Sequence, residues 1–313
     1  MKAGRRYCLI SPCRDEAQYM ERTLKTVTGQ SEPPALWVIV DDGSTDDTPN
    51  ILREWASRFE YIQIVTRANR GSRKVGPGVI DAFYAGYETI NPHDFDFICK
   101  LDLDLELPPR YFQILMDKME GNPRLGTCSG KPYMLLDGKL VSEKCGDENS
   151  VGMTKFYRVQ CFEDIGGFVH QVMWDGIDGH RCRMLGWVAA SYDEPDLRFI
   201  HLRPMGSSHK GFVTGRLRWG FGQYFMGTSP VYMTASAVFR MTRPPLVVGG
   251  MAMWWGYVKS MLEGAPRYGD DEFRRFLRRY QRQCLLRGKT AATKRLNAAQ
   301  ASIWQARHPR SEG

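Results

Sequence analysis

Three carboxylates stand at alternate positions at the end of an apolar run, Phe97-Ile98-Cys99-Lys100-Leu101-Asp102-Leu103-Asp104-Leu105-Glu106. On an extended chain, side chains two residues apart share a face, so Asp102, Asp104 and Glu106 are expected side by side. Carboxylates crowded in this way repel one another unless a cation joins them. The chemistry implied is a Mg²⁺ or Mn²⁺ site at the end of a strand, holding a phosphate-bearing ligand. The plain structural account of the same residues is an edge strand with a solvated acidic face.

Other residues able to do chemistry follow similar apolar runs. Pro12-Cys13-Arg14-Asp15-Glu16 follows one, and Asp41-Asp42-Gly43-Ser44-Thr45-Asp46-Asp47-Thr48 follows another. Arg73 and Lys74 lie in a Gly- and Arg-rich stretch from Asn69 to Gly78. There they either meet phosphates or stay solvated. Asp175 and Asp178 are three apart, which puts both carboxylates on one face of a helix. An acid at a helix start can equally be a cap. His201 closes a late apolar run, as a ligand or as a structural histidine.

These residues need elements to position them. Tyr7 to Ser11 reads as a strand closed by Pro12, and Glu16 to Gly29 as a helix. Leu36 to Val40 is an unbroken apolar strand of the kind covered on both faces. A turn and a helix to Phe59 follow, then a strand over Tyr61–Thr66, a helix over Val79–Thr89, and the acidic strand. Strand and helix thus alternate three times before Asp102, the pattern of a doubly wound, mostly parallel α/β sheet. Ligands of such sheets sit beyond the C-terminal ends of the strands, where all three acidic stretches fall. Pro108 to Glu120 reads as a helix. Tyr133–Leu136 and Lys139–Ser142, joined by Asp137-Gly138, read as a hairpin. Trp174 opens a helix that ends near Gly186. Arg198 to Leu202 is a last strand, and Gly211 to Met226 a helix.

The chain has 313 residues and a net charge of +8, unevenly spread. Residues 267–310 hold 12 Lys and Arg against three acids, so the remainder is near neutral. A boundary is expected near residue 230, with 231–313 as a helical, basic extension. The apolar run from Leu246 to Tyr257 falls well short of the ~20 residues that span a bilayer. With the basic amphipathic segment Phe273–Leu286 it suggests either an in-plane membrane contact or a helical hairpin packed on the domain. No nucleic acid is expected, since no motif of a known reader is present. Eight cysteines form no CxxC pair and read as free thiols of a reducing compartment. The N-terminus does not read as a signal peptide, so a cytoplasmic location, or one on the inner face of the membrane, is expected.

Taken together, Pro12-x-Arg14-Asp15-Glu16, Val40-Asp41-Asp42-Gly43-Ser44-Thr45-Asp46, Leu101-Asp102-Leu103-Asp104, Ile165-Gly166-Gly167-Phe168 and Trp174-Asp175 resemble family-2 glycosyltransferases. The resemblance runs from about Tyr7 to His201 and implies their GT-A fold. It also implies that Pro12, Arg14, Glu16 and Asp42 hold a nucleotide, with Lys74 on the phosphates. Asp102 and Asp104 match the Asp-x-Asp pair, with Asp104 on a Mg²⁺ or Mn²⁺ ion and Asp102 near the ribose or a metal-bound water. His201 matches the C-terminal metal-binding histidine. A carboxylate after the second strand can accept the N3–H of uracil or thymine, so Asp42 favours a UDP- or dTDP-sugar.

Asp175 matches the acid of the family's Glu-Asp motif, although Trp174 stands where the Glu would be. It is the expected general base, ahead of Asp178. Gly215-Arg216-Leu217-Arg218-Trp219 departs from the Gln-x-x-Arg-Trp of processive synthases, because Gly215 replaces the Gln. The reaction implied is transfer of one sugar, with inversion, to a hydroxyl of a glycan or lipid-linked acceptor in surface or exopolysaccharide synthesis. An Asp, with an unperturbed pKa of ~3.9, can act as a base at neutral pH without a large shift. The rivals are an Asp-x-Asp phosphatase or phosphomutase, a sugar nucleotidyltransferase, and a non-catalytic nucleotide-sugar-binding protein. The first fits poorly with Glu106. The second lacks a Gly-rich phosphate loop after strand one.

Overall fold

The computed structural model describes residues 5–69, 71, 76–203, 211–243 and 246–309. The chain divides into two compact units, one of residues 1–170 and 188–204, the other of residues 171–187 and 205–313.

In chain order the first unit holds β1 (Tyr7–Cys13), α1 (Met20–Thr28), β2 (Leu36–Asp41), α2 (Thr48–Arg58), β3 (Ile62–Thr66), α3 (Pro77–Tyr87), β4 (Phe97–Leu101) and β5 (Leu105–Glu106). It continues with α4 (Tyr111–Glu120), β6 (Leu125–Ser129), β7 (Lys131–Leu136), β8 (Lys139–Ser142), β9 (Thr154–Arg158) and α5 (Val159–Asp164). After α6 (Trp174–Met184) of the second unit come β10 (Val188–Ser191) and β11 (Arg198–His201).

Seven strands form one sheet in the order β10-β6-β9-β4-β1-β2-β3. Its pairs are parallel except those of β9, which runs antiparallel to both β4 and β6. A second sheet has the order β5-β11-β7-β8. The mostly parallel α/β architecture expected from the strand–helix alternation is present. Trp37, Val38, Ile39 and Val40 of β2 are fully buried, as a strand covered on both faces must be. The β7–β8 hairpin pairs Leu136 with Lys139 across Asp137-Gly138, whose φ values of 49° and 76° are those of a primed turn.

Several expectations need correction. β1 does not stop at Pro12 but runs to Cys13. Its pairing with β4 ends at Ile10, so the N–H that Pro12 lacks is not needed on that side, while Pro12 still faces Val40 of β2. The helix expected from Glu16 begins only at Met20; before it, the N–H groups of Glu16 and Ala17 are bound by Thr48 and Asp46. The acidic strand also ends early. β4 stops at Leu101, the last residue paired with β9, and the chain bends through Asp102–Asp104 into the other sheet. Asp102, Asp104 and Glu106 therefore do not share one strand face. Glu106 turns to Arg22 instead. The strands β6, β9 and β10 escape a hydrophobicity reading because they carry buried polar residues, Lys155 of β9 being fully enclosed.

The second unit adds α7 (Gly211–Met226), α8 (Pro230–Met241), α9 (Val248–Leu262), α10 (Asp271–Arg287), α11 (Lys289–Ala299) and α12 (Ala301–Arg307) to α6. The division differs from one at residue 230, because α6 and α7 both pack on later helices. On α6, His180 packs its ring edge-on against Phe273 and at a tilt against Tyr280 of α10. Helices α7 and α9 cross so closely that a Cβ on Gly256 would lie 2.2 Å from the carbonyl oxygen of Leu217. The basic amphipathic segment forms as α10, and its apolar side is buried within the unit through Phe273, Leu277, Tyr280 and Cys284. Among the described residues no helix is long and apolar enough to cross a membrane.

Candidate active site

The loops after β1, β2 and β3 are laced together by the Asp-Asp-Gly-Ser-Thr-Asp stretch. Asp41 accepts the Ser44 N–H, and the Ser44 hydroxyl accepts the Asp15 N–H. Asp15 in turn accepts the Thr45 N–H at 2.7 Å, and Asp46 accepts that of Ala17. These bonds, with Arg14 alongside, hold the Asp15 carboxyl below its usual pKa despite partial burial. Gly43 has φ +74°, and a Cβ there would stand 2.5 Å from the Cα of Asn69, so only glycine fits between the two loops.

Asp42 is the member of this stretch that faces a cation. Its Oδ1 accepts from Arg67 Nη1 at 2.8 Å. Arg14, itself buried, donates to the Asp42 carbonyl and to Asn69 Oδ1 at 2.8 Å. The Arg67 contact fixes the direction of the Asp42 carboxylate. Pro12 lies on β1 next to Val40, at the base of the same loops. Lys74 and its neighbour Arg73 lie outside the described residues.

A second cluster forms around Asp104. The two-residue strand β5 pairs with β11 so that Leu105 faces His201, which brings His201 beside Asp104. His201 Nε2 lies 3.7 Å from Asp104 Oδ2, and its Nδ1 lies 2.8 Å from Glu143 Oε2. Burial opposes charging the imidazole, but the two carboxylates prevail and raise its pKa to about 9. Arg203 completes the cluster. Its Nη2 donates to Asp104 Oδ2 at 2.7 Å and to Glu16 Oε1 at 2.8 Å. The loop after β1 is thereby joined through Glu16 and Arg203 to the bend after β4. Burial disfavours an ionised Asp104, yet His201 and Arg203 together hold its pKa low.

Asp102 is only partly buried and pairs with Lys100, whose ammonium also donates to the Gly152 carbonyl at 3.0 Å. Burial raises the Asp102 pKa against the pull of Lys100. Asp175 and Asp178 belong to the second unit, on α6. Asp175 is exposed in the first turn, whereas Asp178 is buried and accepts the Gly179 N–H.

The donor set suits a divalent cation. Asp104 Oδ1 is buried with no hydrogen-bond partner, on a carboxylate held ionised, whereas His201 would have to give up a proton before its Nε2 could bind a metal. Hard cations of this kind need only one or two carboxylates when substrate phosphates complete the shell. Among the described residues no three His, Cys, Asp or Glu side chains are gathered into a ready cage. Asp104 and His201 are the residues that could hold such an ion.

Residues 8–134 match the family model described as glycosyl transferase family 2. That stretch is similar to a family-2 glycosyltransferase domain. Among curated relatives, poly-beta-1,6-N-acetyl-D-glucosamine synthase of Staphylococcus epidermidis is 24% identical over 120 residues. That stretch is 38% of this chain and 27% of the relative, so the chain matches about a quarter of that protein's length. The corresponding synthase of Staphylococcus aureus is 23% identical over 121 residues. Among solved structures, the mannosyltransferase PcManGT of Pyrobaculum calidifontis, in complex with GDP-Man and Mn²⁺, superposes with a TM-score of 0.52 at 18% identity. It covers all of this chain and 89% of its own. Residues 1–349 of S. aureus TarS superpose at 0.51 and 13% identity, covering 98% of this chain and 93% of that one. These neighbours share the GT-A fold expected from the sequence.

The family-2 glycosyltransferase match takes in Asp42, Asp102 and Asp104 but ends before His201 and Arg203. It leaves the phosphatase and nucleotidyltransferase alternatives without support. Sequence reading missed Arg203, Glu143 and Arg67. No local period pointed to Arg203, because it lies in the bend after β11, which ends at His201.

Proposed function

We propose that the chain is a metal-dependent, inverting glycosyltransferase that moves one sugar from a nucleotide-diphosphate sugar to a hydroxyl of a glycan or lipid-linked acceptor. The observation that carries this reading is the joining of Asp104, His201, Arg203 and Glu16 to the Asp42 loop within the first unit. Asp42, oriented by Arg67, is assigned to the base, where a carboxylate suits the N3–H of a uracil and favours a UDP-sugar. Arg14 and Pro12 shape the same loops, and Asp102 is assigned to the ribose side. Asp104 and His201 are assigned to a Mg²⁺ or Mn²⁺ ion, which when bound would neutralise charge on the departing diphosphate. Arg203 then exchanges its carboxylate partners for phosphate oxygens, a bidentate match for its guanidinium. The curated relatives are polysaccharide synthases, which supports a role in surface or exopolysaccharide synthesis.

Asp175 is the proposed base that takes the proton of the attacking hydroxyl. Its exposed place in the first turn of α6 favours it over the enclosed Asp178. Inversion by single displacement needs no acid for the leaving group.

The test is nucleotide release from a panel of UDP-, dTDP- and GDP-sugars, with Mn²⁺, Mg²⁺ or a chelator present. UDP release that the chelator abolishes and Mn²⁺ or Mg²⁺ restores is expected. Full activity in the chelator would remove the metal from the mechanism. Asp175→Asn is expected to bind UDP normally and to transfer sugar about a hundredfold more slowly. Unimpaired transfer by Asp175→Asn would move the base elsewhere.

A further inference from the structure

Helix α9 is amphipathic in the wrong sense for a soluble helix. Its small residues face inward, with Gly249, Gly250 and Gly256 buried beside Met253, Tyr257 and Ser260. Its large apolar residues face outward. Val248, Met251, Trp254, Trp255 and Leu262 are all exposed, at spacings of three, four and seven that mark one face. Helix α8 repeats the arrangement. Val231, Val238 and Phe239 are exposed and line an open groove of about 850 Å³. Trp254 of α9 donates to Thr234 of α8, so the two stripes adjoin. Of the twenty exposed large apolar side chains among the described residues, thirteen fall between Val213 and Leu262. A contiguous apolar surface of this kind marks an interaction site.

Charge identifies what covers it. From Gly211 to Leu262 the sequence has no Asp or Glu, yet five Lys and Arg. Arg243 caps the Phe239 ring at 4.6 Å. Burial, with Arg240 nearby, lowers the pKa of Arg216, so cations are drawn together here without an acid in the stretch. A second copy docking by the same face would set these cations against their equivalents. An anionic, apolar-cored surface complements both features at once. Helix α9, with 15 residues, is about 22 Å long, too short to cross a hydrocarbon core of about 30 Å.

We propose that the exposed face of α8 and α9 seats in the plane of an anionic lipid bilayer. Trp254, Trp255 and Phe239 enter the headgroup boundary, and the arginines around them meet lipid phosphates. The contact belongs to α8 and α9, not to the basic helix α10, whose apolar side is already occupied.

The test is co-sedimentation of the full chain with vesicles of phosphatidylcholine alone or mixed equally with phosphatidylglycerol. Binding to the mixed vesicles is expected to exceed binding to neutral ones by about tenfold and to weaken with salt. Met251→Glu with Trp255→Glu is expected to cut binding about tenfold. Leu286→Glu on α10 should bind as the parent does. Unchanged melting temperatures would show that all variants fold, without reference to any sugar donor. Failure of the parent chain to bind mixed vesicles would overturn the proposal, as would full binding by the double variant. A dimer in sedimentation velocity that the double variant dissolves would give the face to a second copy instead.

Discussion

The loop after β2 draws its partners from three short stretches, residues 14–17, 41–48 and 67–69. The cluster at Asp104 gathers Glu16, Glu143, His201 and Arg203 from across two sheets. In the loop most polar side chains are spent on backbone N–H groups, while Asp42 holds the side-chain cation Arg67. In the cluster nearly every group is charged and faces another charge. A local motif can be rigid because its bonds are short-range and mostly neutral. A charged cluster is held by opposing fields, and adding or removing one charge redistributes the rest.

This contrast predicts different kinetic signatures. Asp104→Ala should lower kcat by about 10²–10³-fold with modest change in donor KM, measured as initial rates of nucleotide release. An unchanged kcat would remove Asp104 from the chemistry. Gly43→Ala should destabilise the first unit by about 2–3 kcal/mol, because the new Cβ meets backbone and φ is positive. An unshifted denaturation midpoint would mean that the loops separate easily. Asp42→Ala should raise donor KM about tenfold while kcat holds. A kcat loss as deep as that of Asp104→Ala would erase the division between the two regions. Arg67→Lys keeps the charge but loses the planar geometry, and about a threefold rise in KM is expected. No change would show that Asp42 is oriented by its other neighbours.

The same contrast explains what could be read from the sequence. The parallel sheet, the β7–β8 hairpin and the Asp42 loop follow local rules of period and turn chemistry, and each was legible. The Asp102–Glu106 stretch misled because period two holds only while a strand continues, and β4 ends where β9 stops pairing with it at Leu101. The carboxylates suggested a Mg²⁺ or Mn²⁺ ion; in the structure the cations facing Asp104 are the side chains of Arg203 and His201. Their assembly depends on the register of β5 with β11, which no local rule contains. The outward apolar stripe of α9 was visible as an apolar run. Its direction was not, because a helical period gives a face without saying which way it points.

The register of that two-residue strand also sets an order in time. Arg203 follows Asp104 by 99 residues, so the first half of the cluster leaves the ribosome well before its counterion. At about 5–20 residues per second, the delay is roughly 5–20 s. The partners described for the loop at Asp42 are all made by residue 69. During that interval the nascent chain carries an acidic bend with neither His201 nor Arg203 yet made, and Asp104 gains its counterions only with the last strand and the residues after it.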